Sequence, residues 1–244
     1  MEENEFTHNS IKEIMDFIPD NFSILEDKID LDVQKDFFNS LKDLIINPED
    51  KIEDLISNLN NTDLSVEERK IILLKLSSID SVEAYRAIEK LYNMPDSEFK
   101  EWTALALQQS KLIIQSSLLG EQIVFISTGL GGKNGKLRYY LIFPYSNSTK
   151  TLSDFQLKIL KEELEFLLSK NNGEVEESDI TSRYASFMII LPLKAPIADI
   201  VKVIVDECNQ YGSFLSEDVL ITNMKKFNEE DIISIIEKRM TFED

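Results

Sequence analysis

Apolar positions change their period once along the chain. Up to about residue 119 they recur at intervals of three and four; beyond Gly120 short alternating stretches take turns with helical ones. In "DVQKDFFNSLKDLIIN", Val33, Phe37, Leu41, Leu44 and Ile45 fall on one helical stripe. Ser65 with Glu68 forms a capping box opening "VEERKIILLKLSSI". Its run Ile71–Leu74 is apolar all round, which predicts burial on more than one side. Asn9–Ser10 with Glu13 predicts a shorter helix, "IKEIMDFI". Asn47 followed by Pro48, Glu49 and Asp50 predicts a helix start with acid in its first turn.

After Gly120 the pattern predicts strands in "QIVFIST" and "KLRYYLIFPY", then a helix in "SDFQLKILKEELEFLLSK" capped by Ser153 with Gln156. Two further strands follow in "EVEESDIT" and "RYASFMIILPL". "PIADIVKVIVDECNQYG" aligns Ile197, Ile200, Val201, Ile204 and Cys208 on one helical stripe. "DVLITNMKKF" reads as a strand, and Asn228 caps a last helix, "EEDIISIIEKRM". The expected class is α+β, with a helical domain over 1–119 and a sandwich with a mainly antiparallel sheet over 120–244.

Two resemblances attach to these elements. The stretch "DSVEAYRAIEKLYNMPDSEFKEWTALALQQSKLII" is similar to a HEAT-type helical repeat. It turns Ala84, Ala87, Ile88 and Leu91 inward, breaks at Pro95–Asp96, and carries Phe99, Trp102, Ala104, Leu105 and Ala106 on its second helix. It covers about one repeat, because no period of about 40 residues extends upstream. The resemblance implies a scaffold that grips other proteins. From Lys136 to Lys226 the order β-α-β-β-α-β resembles a ferredoxin-like sandwich, which implies four antiparallel strands under two helices. A hairpin between 122–128 and 136–145 conflicts with that order, since the first strand already has two neighbours. Either the extra strand lies at an edge or the sheet has another order.

Charge narrows the function classes. The net charge is −19, with −12 carried by residues 1–70 and +4 by residues 131–150. So acidic a surface argues against free nucleic acid as a partner, because counterion release needs clustered cations. It suits a basic protein partner, one within a larger complex included, and it also serves solubility. One cysteine excludes an internal disulfide. No apolar run approaches the roughly 20 residues of a membrane span. The N-terminus lacks the pattern of a secretory signal. A cytoplasmic location is expected.

Candidate chemistry concentrates in "STGLGGKNGKLRYY", which holds Gly129, Gly131, Gly132 and Gly135 among Lys133, Lys136 and Arg138. A Walker A loop would need glycine at 130 and a hydroxyl at 137, and both positions are leucine. A dinucleotide fingerprint fails at Asn134, and a strand rather than a helix follows. Two readings stand for the tip 129–136. It is a mobile turn with solvating charges, or a docking point for an acidic or phosphate-bearing surface, RNA backbone among them. On the second reading Gly129, Gly131, Gly132, Lys133, Lys136 and Arg138 are the partner-binding residues.

No cofactor or metal is expected, since zinc and calcium spacings are absent. The only histidine is His8, and Cys208 lies on an apolar helix stripe, so no nucleophile–base pair is expected and no catalytic residue is named. The acidic run Glu174–Asp179 predicts the solvated face of an edge strand more readily than a cation site. The resulting expectation is a non-catalytic adaptor or scaffold, able to dock on a basic protein or ribonucleoprotein assembly. The alternative is an ACT-like regulator that senses a small ligand as a homodimer.

Overall fold

The computed structural model describes residues 21–47, 49–61, 63–94, 99–146 and 151–240. The expected first helix, His8, Pro48 and the Pro95–Asp96 turn lie outside them. The class is α+β, 50% helical and 18% strand, in two compact units, residues 1–127 and 128–244.

The first unit holds β1 (Phe22–Ile24), α1 (Leu31–Lys42), α2 (Ile52–Leu59), α3 (Val66–Ser77), α4 (Val82–Tyr92), α5 (Lys100–Leu119) and β2 (Val124–Ile126). α5 packs against α1, α3 and α4. Its Ala106 and the Ala84 of α4 are fully buried, small enough to let helices approach. Phe37, Leu59, Leu73, Leu76, Ile88 and Leu105 complete the centre, each worth about 1.5–3 kcal/mol of burial. Trp102 sits edge-on to Phe37 at 5.3 Å between ring centroids, so these aromatics are core. The capping box of Ser65 and Glu68 is present at α3. Ile71, expected inside, is 50% exposed, so α3 buries one broad side rather than its whole girth.

The expected helix start at Asn47 is a turn instead. Asp50 N donates to Asn47 O, while Asn47 N donates to the Asp50 carboxylate, which also pairs with Lys75 at 2.7 Å. These bonds hold the backbone until Ile52, where α2 begins.

β2 differs most from expectation. It does not join the second unit: Val124, Phe125 and Ile126 pair in parallel with Phe22, Ser23 and Ile24. Two ends of the first unit, about a hundred residues apart, are thus tied by one short ladder, and Gln108 Nε2 donates to Ser23 Oγ beneath it. The unit boundary accordingly falls after Ser127 rather than after Leu119.

The second unit holds β3 (Gly132–Lys133), β4 (Lys136–Pro144), α6 (Asp154–Lys170), β5 (Glu174–Ile180), β6 (Tyr184–Leu191), α7 (Ile197–Asn209), β7 (Leu220–Thr222) and α8 (Glu229–Met240). β4 lies inside an antiparallel sheet, with β6 along one edge and β5 beyond it. β3 and β7 share the other edge, β3 beside residues 136–137 and β7 beside 140–142. This removes the conflict over the hairpin, because the strand that folds back on β4 is only two residues long.

Alternation along β4 decides the layers. Tyr140 and Ile142 meet Leu130, Tyr184, Met188, Ile232 and Ile236, so α8 covers that face. Tyr139, Leu141 and Phe143 point the other way and are equally buried. Ile221, level with Leu141, lies beside Val201 and Val205 of α7, and α7 packs on α6. The face that carries Arg138 is therefore apolar beyond it, because α8 shields Tyr140 and Ile142.

Candidate ligand-binding site

The glycine-rich stretch is architecture first. Leu130 drops into the α8-side core, and its N–H donates to Asn223 O at 3.1 Å. Gly129 lies so close to the neighbouring strand exit that a Cβ there would stand 1.7 Å from Met224 O. Gly131 N donates to Thr128 O, closing a turn with Gly131 at φ 63°. Asn134 (φ 53°) and Gly135 (φ 71°) form the two-residue link between Lys133 and Lys136. Two successive positive φ values suit the right-handed twist of a hairpin, and Asn-Gly is the pair that adopts them most readily. Of the eight-residue tip expected, only these two form the turn.

Structure brings the three cations of this stretch together against β5. Lys133 Nζ lies 2.8 Å from Glu174 and 3.9 Å from Glu176. Arg138 Nε donates to Glu176 at 2.7 Å, and another of its nitrogens reaches Leu130 O at 3.4 Å. Lys136 Nζ donates to Asn172 O at 2.6 Å. The Glu174 hydrogen bond holds the Lys133 amine above its ordinary range, and Lys133 holds Glu174 below the usual carboxylate range. A bulge between Val175 and Glu177 sets two residues of β5 opposite one of β6. Glu176 then reaches Arg138 while Glu177 reaches Lys226 at 2.7 Å. The acidic run lies on an edge strand, as expected, but three of its four carboxylates answer cations of their own unit.

A second place went unmarked in the sequence. Around the far end of β4 lies a half-open cavity of about 490 Å³. Its floor is Ile142, Leu215, Leu220, Ile232, Ile235 and Ile236, and its rim carries Asp206, Asn209, Ser213, Ser216, Glu217 and Asp218. The loop after α7 is held firmly. Asn209 Nδ2 donates to Leu215 O at 3.0 Å and its Oδ1 accepts from Leu215 N at 2.9 Å. Ser213, at φ 46°, presents its carbonyl to Ser146 Oγ. Tyr145 donates to Thr181 O at 3.2 Å, and burial pushes its phenol up to about 12, so it stays protonated.

Asp206, Glu217 and Asp218 are exposed, and among the described residues no cation pairs with them. Nor do three His, Cys, Asp or Glu side chains come close enough to hold a metal ion among those residues. The rim therefore offers spread negative charge over an apolar floor, a surface for an organic cation. Periodicity had placed Leu220 and Ile232 in elements, but the polar stretch 213–218 reads only as a connection until β4 fixes where it passes. Cys208 is fully buried and its thiol is pushed up to about 12 by burial, which leaves it inert.

No protein-family model and no curated protein matches the chain. Solved structures do. One is the crystal structure of a putative transposase from Deinococcus radiodurans R1, 19% identical, covering 44% of this chain and 93% of that one, with a TM-score of 0.37. Another is the REP-associated tyrosine transposase bound to a REP hairpin, 10% identical, covering 42% and 63%, with a TM-score of 0.33.

These findings correct four expectations. The non-catalytic adaptor, its ACT-like alternative, the exclusion of enzymatic activity and the argument against free nucleic acid all lose their footing, because the similar structures are transposases, one of them holding a hairpin. Neither the HEAT-like nor the ferredoxin-like name gains support from them. At these TM-scores the likeness transfers no activity to this chain. Among the described residues, no helix is long and apolar enough to cross a membrane.

Proposed function

We propose that the second unit is a receptor for a small organic cation bound in the 490 Å³ cavity. One observation carries this reading: an apolar floor of aliphatic side chains meets a rim of three carboxylates that lack a cation among the described residues. Each half supplies a different part of recognition. The floor rewards burial of alkyl groups at about 0.8 kcal/mol per methylene. The rim selects charge, at up to about 1 kcal/mol per exposed carboxylate and less as salt rises. A bound ammonium would also find Asn209, Ser213 and Ser216 as uncharged partners. The lone buried thiol suits a reducing compartment such as the cytoplasm.

Calorimetric titration of the whole chain with n-butylamine, n-butanol and butyrate tests the reading. The amine binds, the alcohol binds at least about tenfold more weakly, and the acid does not bind. Replacing Glu217→Gln with Asp218→Asn weakens the amine about tenfold without shifting the melting temperature, since both side chains are exposed. Equal binding of amine and alcohol would remove the carboxylates from the argument. A DNA hairpin is titrated alongside, and its tight binding in the absence of any amine binding would displace this reading.

A further inference from the structure

The cavity has a neighbour. A groove of about 310 Å³ runs between α7 and β7, lined by Ala198, Val201, Val205, Val219 and Ile221, with Lys202 at its rim. Asp206 and Glu217 line both spaces. Leu220 belongs to the cavity and Ile221 to the groove, as consecutive strand residues must when they point to opposite faces. Among the described residues β7 pairs only with β4, so its outer edge is where one space passes into the other. Going around that edge, the order is aliphatic floor, carboxylate pair, aliphatic wall.

We propose that the ligand is a linear molecule with its cationic centre between two apolar arms, a secondary ammonium rather than a terminal one. The charge sits at Asp206 and Glu217, one arm lies on Leu220 and Ile232, and the other lies between Val205 and Ile221. This rests on the cation-receptor reading and adds to it the position of the charge along the ligand. Lys202 stands on the groove side only, which disfavours a second positive charge at the end of that arm.

Titration of the full chain with n-butylamine, dibutylamine and n-octylamine decides the matter, because the last two carry the same number of carbons and the same charge. Dibutylamine binds at least about tenfold tighter than n-butylamine, as a second buried alkyl arm requires, and tighter than n-octylamine. Ala198→Trp fills the groove, removing that gain while leaving n-butylamine unchanged. Val219→Phe, which also lies on the groove side only, does the same by bulk should the tryptophan variant fold poorly. If n-butylamine binds but dibutylamine gains nothing, or n-octylamine is the tightest, the central charge is wrong and the cavity reading stands. If no amine binds, both fall.

Discussion

A Cβ on Gly129 would stand 1.7 Å from the carbonyl oxygen of Met224, whereas one on Gly135 would meet nothing within 4 Å. The two glycines therefore do different work in one short stretch. Gly129→Ala must push apart backbone that carries the Leu130-to-Asn223 hydrogen bond, at a cost of about 2–4 kcal/mol. Gly135→Ala pays only for a left-handed backbone, about 1 kcal/mol. Urea denaturation of both variants checks this, and equal losses would show that the close approach yields easily. The sequence marks both positions as special, yet nothing local distinguishes close approach from turn geometry. Asn134–Gly135 is readable as a hairpin turn because its cause is local; Gly129 is not, because its cause lies at residue 224.

Elements follow the same division. Ser65 with Glu68 and Ser153 with Gln156 are capping boxes as expected, and Asn228 accepts from Asp231 N at 2.8 Å to start the last helix. Such signals sit within four residues of each other. Strand partners do not: β2 has a strand's composition, but its ladder is with β1, and no periodicity within 122–128 names that partner. The β5 bulge is equally hidden, and at it Glu176 becomes the counter-charge of Arg138. The side chains of Arg138 and Glu176 are 14% and 18% exposed, so removing one partner leaves a charge short of water. Glu176→Gln should cost about 1–3 kcal/mol in chemical denaturation, while Glu174→Gln, more than half exposed, should leave the midpoint nearly unchanged. Matching losses would mean that the bulge merely decorates the edge. The candidate cavity belongs to this scale too, since α7 supplies part of its rim and the rest is the loop 213–218, placed by the bridge between Leu215 and Tyr145 at the end of β4.

For the molecule as a whole, the net charge of −19 coexists with a core whose buried ionisable groups are chiefly phenols. Tyr92, Tyr139, Tyr145 and Tyr184 are each pushed up to about 12, burial being the main cause in all four. Tyr92 donates in addition to Asp27 at 2.8 Å, and that carboxylate resists a second negative charge beside it. A phenol whose folded pKa is raised favours the folded state fully below its unfolded value near 10, and that stability is lost as pH rises through 12. Both units hold such residues, Tyr92 in the first and the other three in the second, so alkaline unfolding strikes both. Absorbance at 295 nm should therefore rise in two phases between pH 9 and 13, the later one near 12 coinciding with loss of the helical signal at 222 nm. A single phase centred near 10 with the helical signal intact would mean that these rings reach water in the folded chain, and the buried α8-side layer around Tyr140 and Tyr184 would have to be redrawn.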